Sequence, residues 1–87
     1  MKINYHRDFK KNFRKRISPH ENLVKRFEER LKLFLKDPKN PILQDHALVG
    51  KRINLRAFSV TGDIRVVYLI KGNELYLLDI GTHSQVY

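Results

Sequence analysis

The chain has 87 residues, 41% of them hydrophobic, no cysteine, and eighteen Lys and Arg against nine Asp and Glu, a formal net charge of +9. Without cysteine there is no disulfide, no thiolate metal site and no cysteine nucleophile. A chain this short buries only about 60% of the surface that its unfolded form exposes, so one small core and a single domain over residues 1–87 are expected. The charge excess makes a phosphate backbone the default partner, through Coulomb steering and counterion release, and an acidic protein surface is drawn by the same field. It is uneven: Met1 to Arg16 holds seven basic residues against one acid.

Met1 to Lys11 is charged at Lys2, Arg7, Asp8, Lys10 and Lys11 with no apolar stretch behind, unlike a signal peptide. The longest apolar run, Val66 to Ile70, falls far short of the roughly 20 residues of a membrane-spanning helix. A soluble, cytoplasmic protein with no membrane partner is expected.

Lys2 to Tyr5 reads as a short first strand. A helix is expected over His6 to Ile17, with Phe9, Phe13 and Ile17 inward at four-residue spacing and Lys10, Lys11, Arg14, Lys15 and Arg16 on its other faces. Ser18-Pro19-His20-Glu21 reads as the start of a second helix, with Ser18 as its cap, Pro19 in its first position and Glu21 closing a capping box. Leu23, Val24, Phe27, Leu31, Phe34 and Leu35 form its apolar stripe. Asp37-Pro38 ends it, because a residue before proline disfavours helical angles.

Lys39 to Gly50 is expected to be a loop. Beyond it, Ile53 to Val60, Ile64 to Ile70 and Glu74 to Ile80 are β-rich runs joined by Thr61-Gly62-Asp63 and Lys71-Gly72-Asn73. Links this short predict a three-stranded antiparallel meander. The first strand should join that sheet, with both helices on one face, an α+β layout.

Of the four histidines, His6 and His20 fall at helix starts and read as surface residues. His46 and His83 fall in loop or strand-end positions, where a sheet holds a side chain while leaving it accessible. Histidines in general titrate near neutrality, so two of them suffice for metal-free acid–base cleavage of RNA. The histidine spacing matches no metal motif, and no glycine-rich phosphate loop occurs; no metal and no cofactor are expected.

Three pieces of the second half together resemble the YafQ branch of the RelE toxin superfamily. They are Asp45-His46-Ala47-Leu48 with Gly50, the strand pair from Arg56 to Tyr68 with Gly62-Asp63 at its turn, and Gly81-Thr82-His83-Ser84 running to Tyr87. The resemblance implies a toxin of a type II toxin–antitoxin system that cleaves messenger RNA on the ribosome and is held by a cognate antitoxin. Operator DNA would be met only through the antitoxin complex. It implies catalytic roles for His46, Asp63, Arg65, His83 and Tyr87. In that reading His46 and His83 move protons, Arg65 stabilises charge, Asp63 orients a neighbour, and Tyr87 stacks a base or helps proton transfer. Lys51, Arg52 and Arg56 are candidate RNA contacts near the sheet, and Lys10, Lys11, Arg14 and Lys15 supply attraction from the first helix.

The chain departs from the family pattern twice. Ser59 stands where a second strand histidine is usual, and Asp79 stands where an arginine is usual. A carboxylate facing a phosphate repels it, so the second departure implies reduced activity unless Arg65 supplies the charge. The alternatives are a gyrase-directed toxin of the same fold and a non-enzymatic basic nucleic-acid-binding module.

Overall fold

The computed structural model describes residues 1–50 and 54–87. The first strand, β1, spans Lys2–Tyr5, and its backbone runs directly into helix α1, Arg7–Arg16. His6 caps that helix: its Nδ1 accepts from the Asp8 amide at 3.0 Å. Asp8 in the first turn and Arg14, Lys15 and Arg16 in the last suit the helix dipole. Phe9 and Ile17 are buried and Phe13 is partly buried, as the four-residue spacing predicts.

Helix α2 spans Glu21–Lys36, and its start differs from expectation. The cap residue is His20, without a side-chain hydrogen bond, not Ser18. The Ser18 amide is still closing α1, donating to the Phe13 carbonyl at 2.8 Å, while the His20 amide donates to Ile17 O at 2.8 Å. Ser18-Pro19 thus belongs to the turn between the helices. Phe27, Leu31 and Phe34 bury the predicted stripe, but Leu33 packs against the core and Leu35 stays 43% exposed. Asp37 ends the helix in a non-helical conformation ahead of Pro38.

The expected loop has structure of its own: a 3-10 turn at Pro41–Leu43 and a two-residue strand, β2, at His46–Ala47. The meander follows as β3, Arg56–Ser59; β4, Ile64–Lys71; and β5, Glu74–Thr82. A four-residue helix, α3, closes the chain at His83–Val86. The sheet order is β1-β5-β4-β3-β2, antiparallel except for the parallel β1–β5 pair, so the sheet has five strands rather than four. The parallel pair is long-range, with β1 lying beside the first half of β5, Lys2 opposite Glu74 and Tyr5 opposite Leu77.

Cross-strand partners share a face, and alternate residues change face. Phe58, Val60, Val66, Tyr68, Leu75, Leu77 and Ile80 point under the two helices and make the core with Phe9, Ile17, Phe27, Phe34 and Leu43. Phe34 joins helix to sheet, stacked on Phe58 at 5.0 Å and edge-on to Tyr68 at 4.8 Å. The register slips once: Val67 pairs with Asp79 and Tyr68 with Leu77, leaving Leu78 as the extra residue of a β-bulge. The opposite face carries Ala57, Ser59, Arg65, Val67 and Gly81, with His46 joined to it through its partner Ala57.

Candidate active site

His46 and His83, 37 positions apart, open onto one pocket with Tyr87 between them, closed by Ala47, Leu48 and Val49. Two short elements achieve this. The strand β2 places His46 at the sheet edge. At the end of β5, Thr82 and Gln85 form a reciprocal capping box, the Thr82 amide donating to Gln85 Oε1 at 2.8 Å, which starts α3 at once and turns His83 and Tyr87 over the strand ends.

The His46 Nδ1 lies 3.0 Å from the Gln44 carbonyl. A carbonyl only accepts, so Nδ1 carries the proton and the neutral ring presents Nε2 as the basic nitrogen. That nitrogen lies 3.3 Å from the Tyr87 hydroxyl. The Tyr87 ring meets His83 edge-to-face at a centroid distance of 4.5 Å and His46 at 6.2 Å, so one aromatic ring buttresses both histidines. All three side chains are exposed.

Behind the pocket, polar groups connect to it in series. Arg65 Nη1 donates to Ser59 Oγ at 2.7 Å, and Ser59 Oγ donates to Gln44 Oε1 at 3.2 Å. Gln44 therefore holds His46 with its backbone and Ser59 with its side chain. It does so from a left-handed conformation, φ 48°, that a non-glycine residue adopts only where its surroundings insist. Sequence reasoning missed Gln44, because neither its residue type nor its spacing signals a left-handed position. Ser59 is 4% exposed, a buried hydroxyl with both neighbours in place.

Arg65 is thus linked to Gln44 through Ser59 without lining the pocket itself, and Asp63 is not joined to this series. Asp63 sits in the exposed turn ahead of β4, its amide bonded to Thr61 Oγ1 at 3.2 Å. Arg56 lies on the other side of the sheet, where its Nε and Nη2 reach one oxygen of Asp45 at 2.7 and 2.6 Å, while Tyr68 donates its hydroxyl to the other. Arg56 is therefore engaged by Asp45 instead of being presented beside His46. Burial, reinforced by Asp45, pushes the Tyr68 phenol well above its ordinary range, and the Asp45 bond raises the already high Arg56 value. Asp45 is the anchor of β2 and hence of His46, the next residue.

Lys10, Lys11, Arg14 and Lys15 are exposed on α1. Lys11 borders a recess with Asn12, Val67, Leu78 and Asp79, whereas Lys10 and Arg14 flank a groove over Phe13 and Phe27. Lys51 and Arg52 lie outside the described residues. Asp79 does not stand as a bare negative charge: Asn12 Nδ2 donates to it at 2.7 Å, and Arg16 Nη1 lies 3.5 Å away. Among the described residues, no three His, Cys, Asp or Glu side chains gather to hold a metal ion, and no helix is long and apolar enough to cross a membrane.

Residues 1–87 match the family described as a bacterial toxin of type II toxin–antitoxin systems, YafQ. No curated protein sequence gives a significant match. Among solved structures, the chain is similar to a copper-bound mutant toxin from Helicobacter pylori, with 36% identity and a TM-score of 0.80 over 100% of this chain and 99% of that one. It resembles YafQ in the Escherichia coli DinJ–YafQ complex at 20% identity and TM-score 0.81, over 98% and 96% of the two chains. A YoeB/ParE toxin from Agrobacterium tumefaciens shares 15% identity at TM-score 0.80, covering 95% and 99%. The last two likenesses are ones of fold.

Proposed function

As the chain belongs to the YafQ family of type II toxin–antitoxin toxins, we propose that it is an endoribonuclease that cuts messenger RNA at the ribosome by attack of a ribose 2′-oxygen on the adjacent phosphate. The observation that supports this reading best is the pocket in which one tyrosine buttresses two accessible histidines, backed by an arginine through Ser59 and Gln44.

In the cleavage, a base removes the 2′ proton, the 2′-oxygen bonds to phosphorus, and the bond to the 5′-oxygen breaks. The products are a 2′,3′-cyclic phosphate and a 5′-hydroxyl. His46 is the base, since the Gln44 carbonyl leaves its Nε2 lone pair facing the pocket. His83 protonates the departing oxygen, and Arg65 offsets the charge that builds on the phosphate. Tyr87 aligns both rings and offers a face to a base. Asp63, at the same end of the sheet, orients the bound strand by hydrogen bonding. These steps transfer protons and exchange one phosphorus–oxygen bond for another, with no change of oxidation state, and call for no cofactor.

The E. coli relative is solved with DinJ, its partner in that complex. By the same logic, an antitoxin with an acidic segment holds this chain, since the +9 charge accelerates encounter with an acidic partner as well as with RNA.

Purified toxin added to ribosomes programmed with a short message should cut within the decoding site. His46→Ala and His83→Ala should each lower the single-turnover rate by about two to four orders of magnitude, and each should remove one limb of a bell-shaped pH profile. Both side chains are exposed, so folding should survive. Full cleavage by the double mutant, or gyrase inhibition in place of cleavage, would overturn this function.

A further inference from the structure

Arg16, Asn12 and Asp79 form a charged cluster at the margin of the face that carries Arg65. Beyond Leu77, β1 no longer covers β5, and the Ile80 backbone is left at an open edge. Arg16 Nη1 donates to the Ile80 carbonyl at 3.0 Å, and the Ile80 amide donates to Asp79 Oδ1 at 2.8 Å. Satisfying that edge is a structural task that a lysine or a water could perform. The placement of the guanidinium goes further. A Cβ on Gly81 would stand 2.7 Å from Arg16 Nη1 and 2.6 Å from Gln85 Oε1, so the guanidinium and the Gln85 amide occupy the space that a side chain at this position would take. Gly81 is the direct cross-strand partner of Arg65. Cβ positions of such partners lie about 5 Å apart, so the Arg16 head group lies beside the root of Arg65. His83 follows two residues later.

We propose that Arg16 is a second cation that contacts the substrate phosphate, aimed by Asp79 and Asn12; this rests on the ribonuclease reading above. When the 2′ proton leaves, a singly charged phosphodiester passes to a species carrying a second negative charge. One guanidinium, already donating to Ser59, offsets one of these. Arg16 offsets the other with a planar donor pair. The Arg65 guanidinium reaches toward Ser59 and the Arg16 guanidinium sits at Gly81, on either side of the Arg65 backbone, and the Asp79 carboxylate offsets the Arg16 charge until a phosphate arrives. Asp79 is then a positioning residue whose charge is spent on Arg16 rather than on the RNA.

The test compares wild type with Arg16→Gln, Arg16→Lys and Asp79→Asn, measuring thermal melting, single-turnover cleavage on programmed ribosomes, and affinity for the same message with a 2′-deoxy group at the cut site. Arg16→Gln should lower the cleavage rate about a hundredfold while melting changes little. Arg16→Lys should recover only part of it, because a point charge lacks the planar fork. Asp79→Asn removes a negative charge and yet should lower the maximal rate severalfold without weakening affinity, which a merely electrostatic or structural carboxylate would not do. Cleavage by Arg16→Gln at the wild-type rate, or a loss matched by a fall in folded protein, overturns the proposal. If wild type cuts no RNA, the ribonuclease reading fails by itself. Affinity for the deoxy message then decides for Arg16 if Arg16→Gln weakens it, and against Arg16 if it does not.

Discussion

Among the described residues, two aspartate–arginine pairs involve the sheet, Asp45 with Arg56 and Asp79 with Arg16, and they are built differently. At Asp45 the carboxylate is the centre: its side chain is 11% exposed, two nitrogens of Arg56 reach one oxygen within 2.7 Å, and Tyr68 takes the other. At Asp79 the carboxylate is taken up by others: Oδ1 accepts from Asn12 at 2.7 Å and from the Ile80 amide at 2.8 Å, while Arg16 stands 3.5 Å away and makes its firmer bond to the Ile80 carbonyl at 3.0 Å. The first pair shuts a carboxylate into the underside of the sheet and fixes β2. The second leaves a guanidinium at the margin of the face that carries Arg65. The same two residue types make a clamp in one place and a cradle in the other, and what separates them is whether the arginine makes its firmest bonds to the carboxylate.

The largest effect should come from opening the clamp. Asp45→Ala strips Arg56 and Tyr68 of their acceptor and should cost about 2–3 kcal/mol, or roughly 10–20 °C in Tm for a domain of this size. At a temperature where the variant is still folded, cleavage should also fall, because a two-residue strand has little besides Asp45 to hold its register. A melting curve and a cleavage rate both unchanged would erase the distinction between clamp and cradle.

Tyr68→Phe keeps the ring packing and removes one bond of the clamp, for about 1–2 kcal/mol. The sign of its pH dependence is fixed. Burial and Asp45 raise the phenol above its ordinary value, so its contribution is complete below about pH 10 and is lost as the pH rises beyond that. Wild-type stability, followed by denaturant titration, should fall on the alkaline limb, and Tyr68→Phe should flatten that fall. Equal alkaline slopes would mean that the phenol is not held by the clamp.

The smallest effect on chemistry should come from Lys10, Lys11, Arg14 and Lys15, which share a helix with Arg16 without its partners. Replacing all four by Gln should weaken RNA binding and reduce the salt slope by roughly 2–3, since each neutralised phosphate contributes about 0.7 for a single strand. The rate on bound RNA should hold. If that rate collapses, the cradle is not confined to Arg16.

Periodicity made the helices, the meander and the first strand legible, because a repeat of two or of three to four residues reports which side faces the core. It could not report β1 joining β5 in parallel, a pairing between residues more than 70 positions apart. The Ser18 cap failed because the cap signal is local, and the Phe13 carbonyl took the Ser18 amide first. Family resemblance singled out His46, His83 and Tyr87, which the structure gathers at one pocket, and Arg65, which it links to Gln44 through Ser59. The bond from Arg56 to Asp45 was not legible, since the sequence does not show that Asp45 faces the opposite side from His46. Arg16 read as one more surface charge, because its meaning depends on Asp79 and Gly81 far along the chain.

The bulge at Leu78 has a consequence for how such a protein can change over generations. The extra residue resets the alternation of β5, so that Leu77 and Ile80 both reach the core while Gly81 and the turn into His83 serve the other face. Deleting Leu78 itself would join Leu77 to Asp79 and leave Ile80 inward and Gly81 outward, whereas an insertion or deletion in the regular stretch from Asp79 to Thr82 that kept the bulge would exchange the two faces beyond it. Descendants can therefore lose the bulge and keep both faces of this strand, while tolerated insertions should collect at the exposed turns around Gly62 and Gly72.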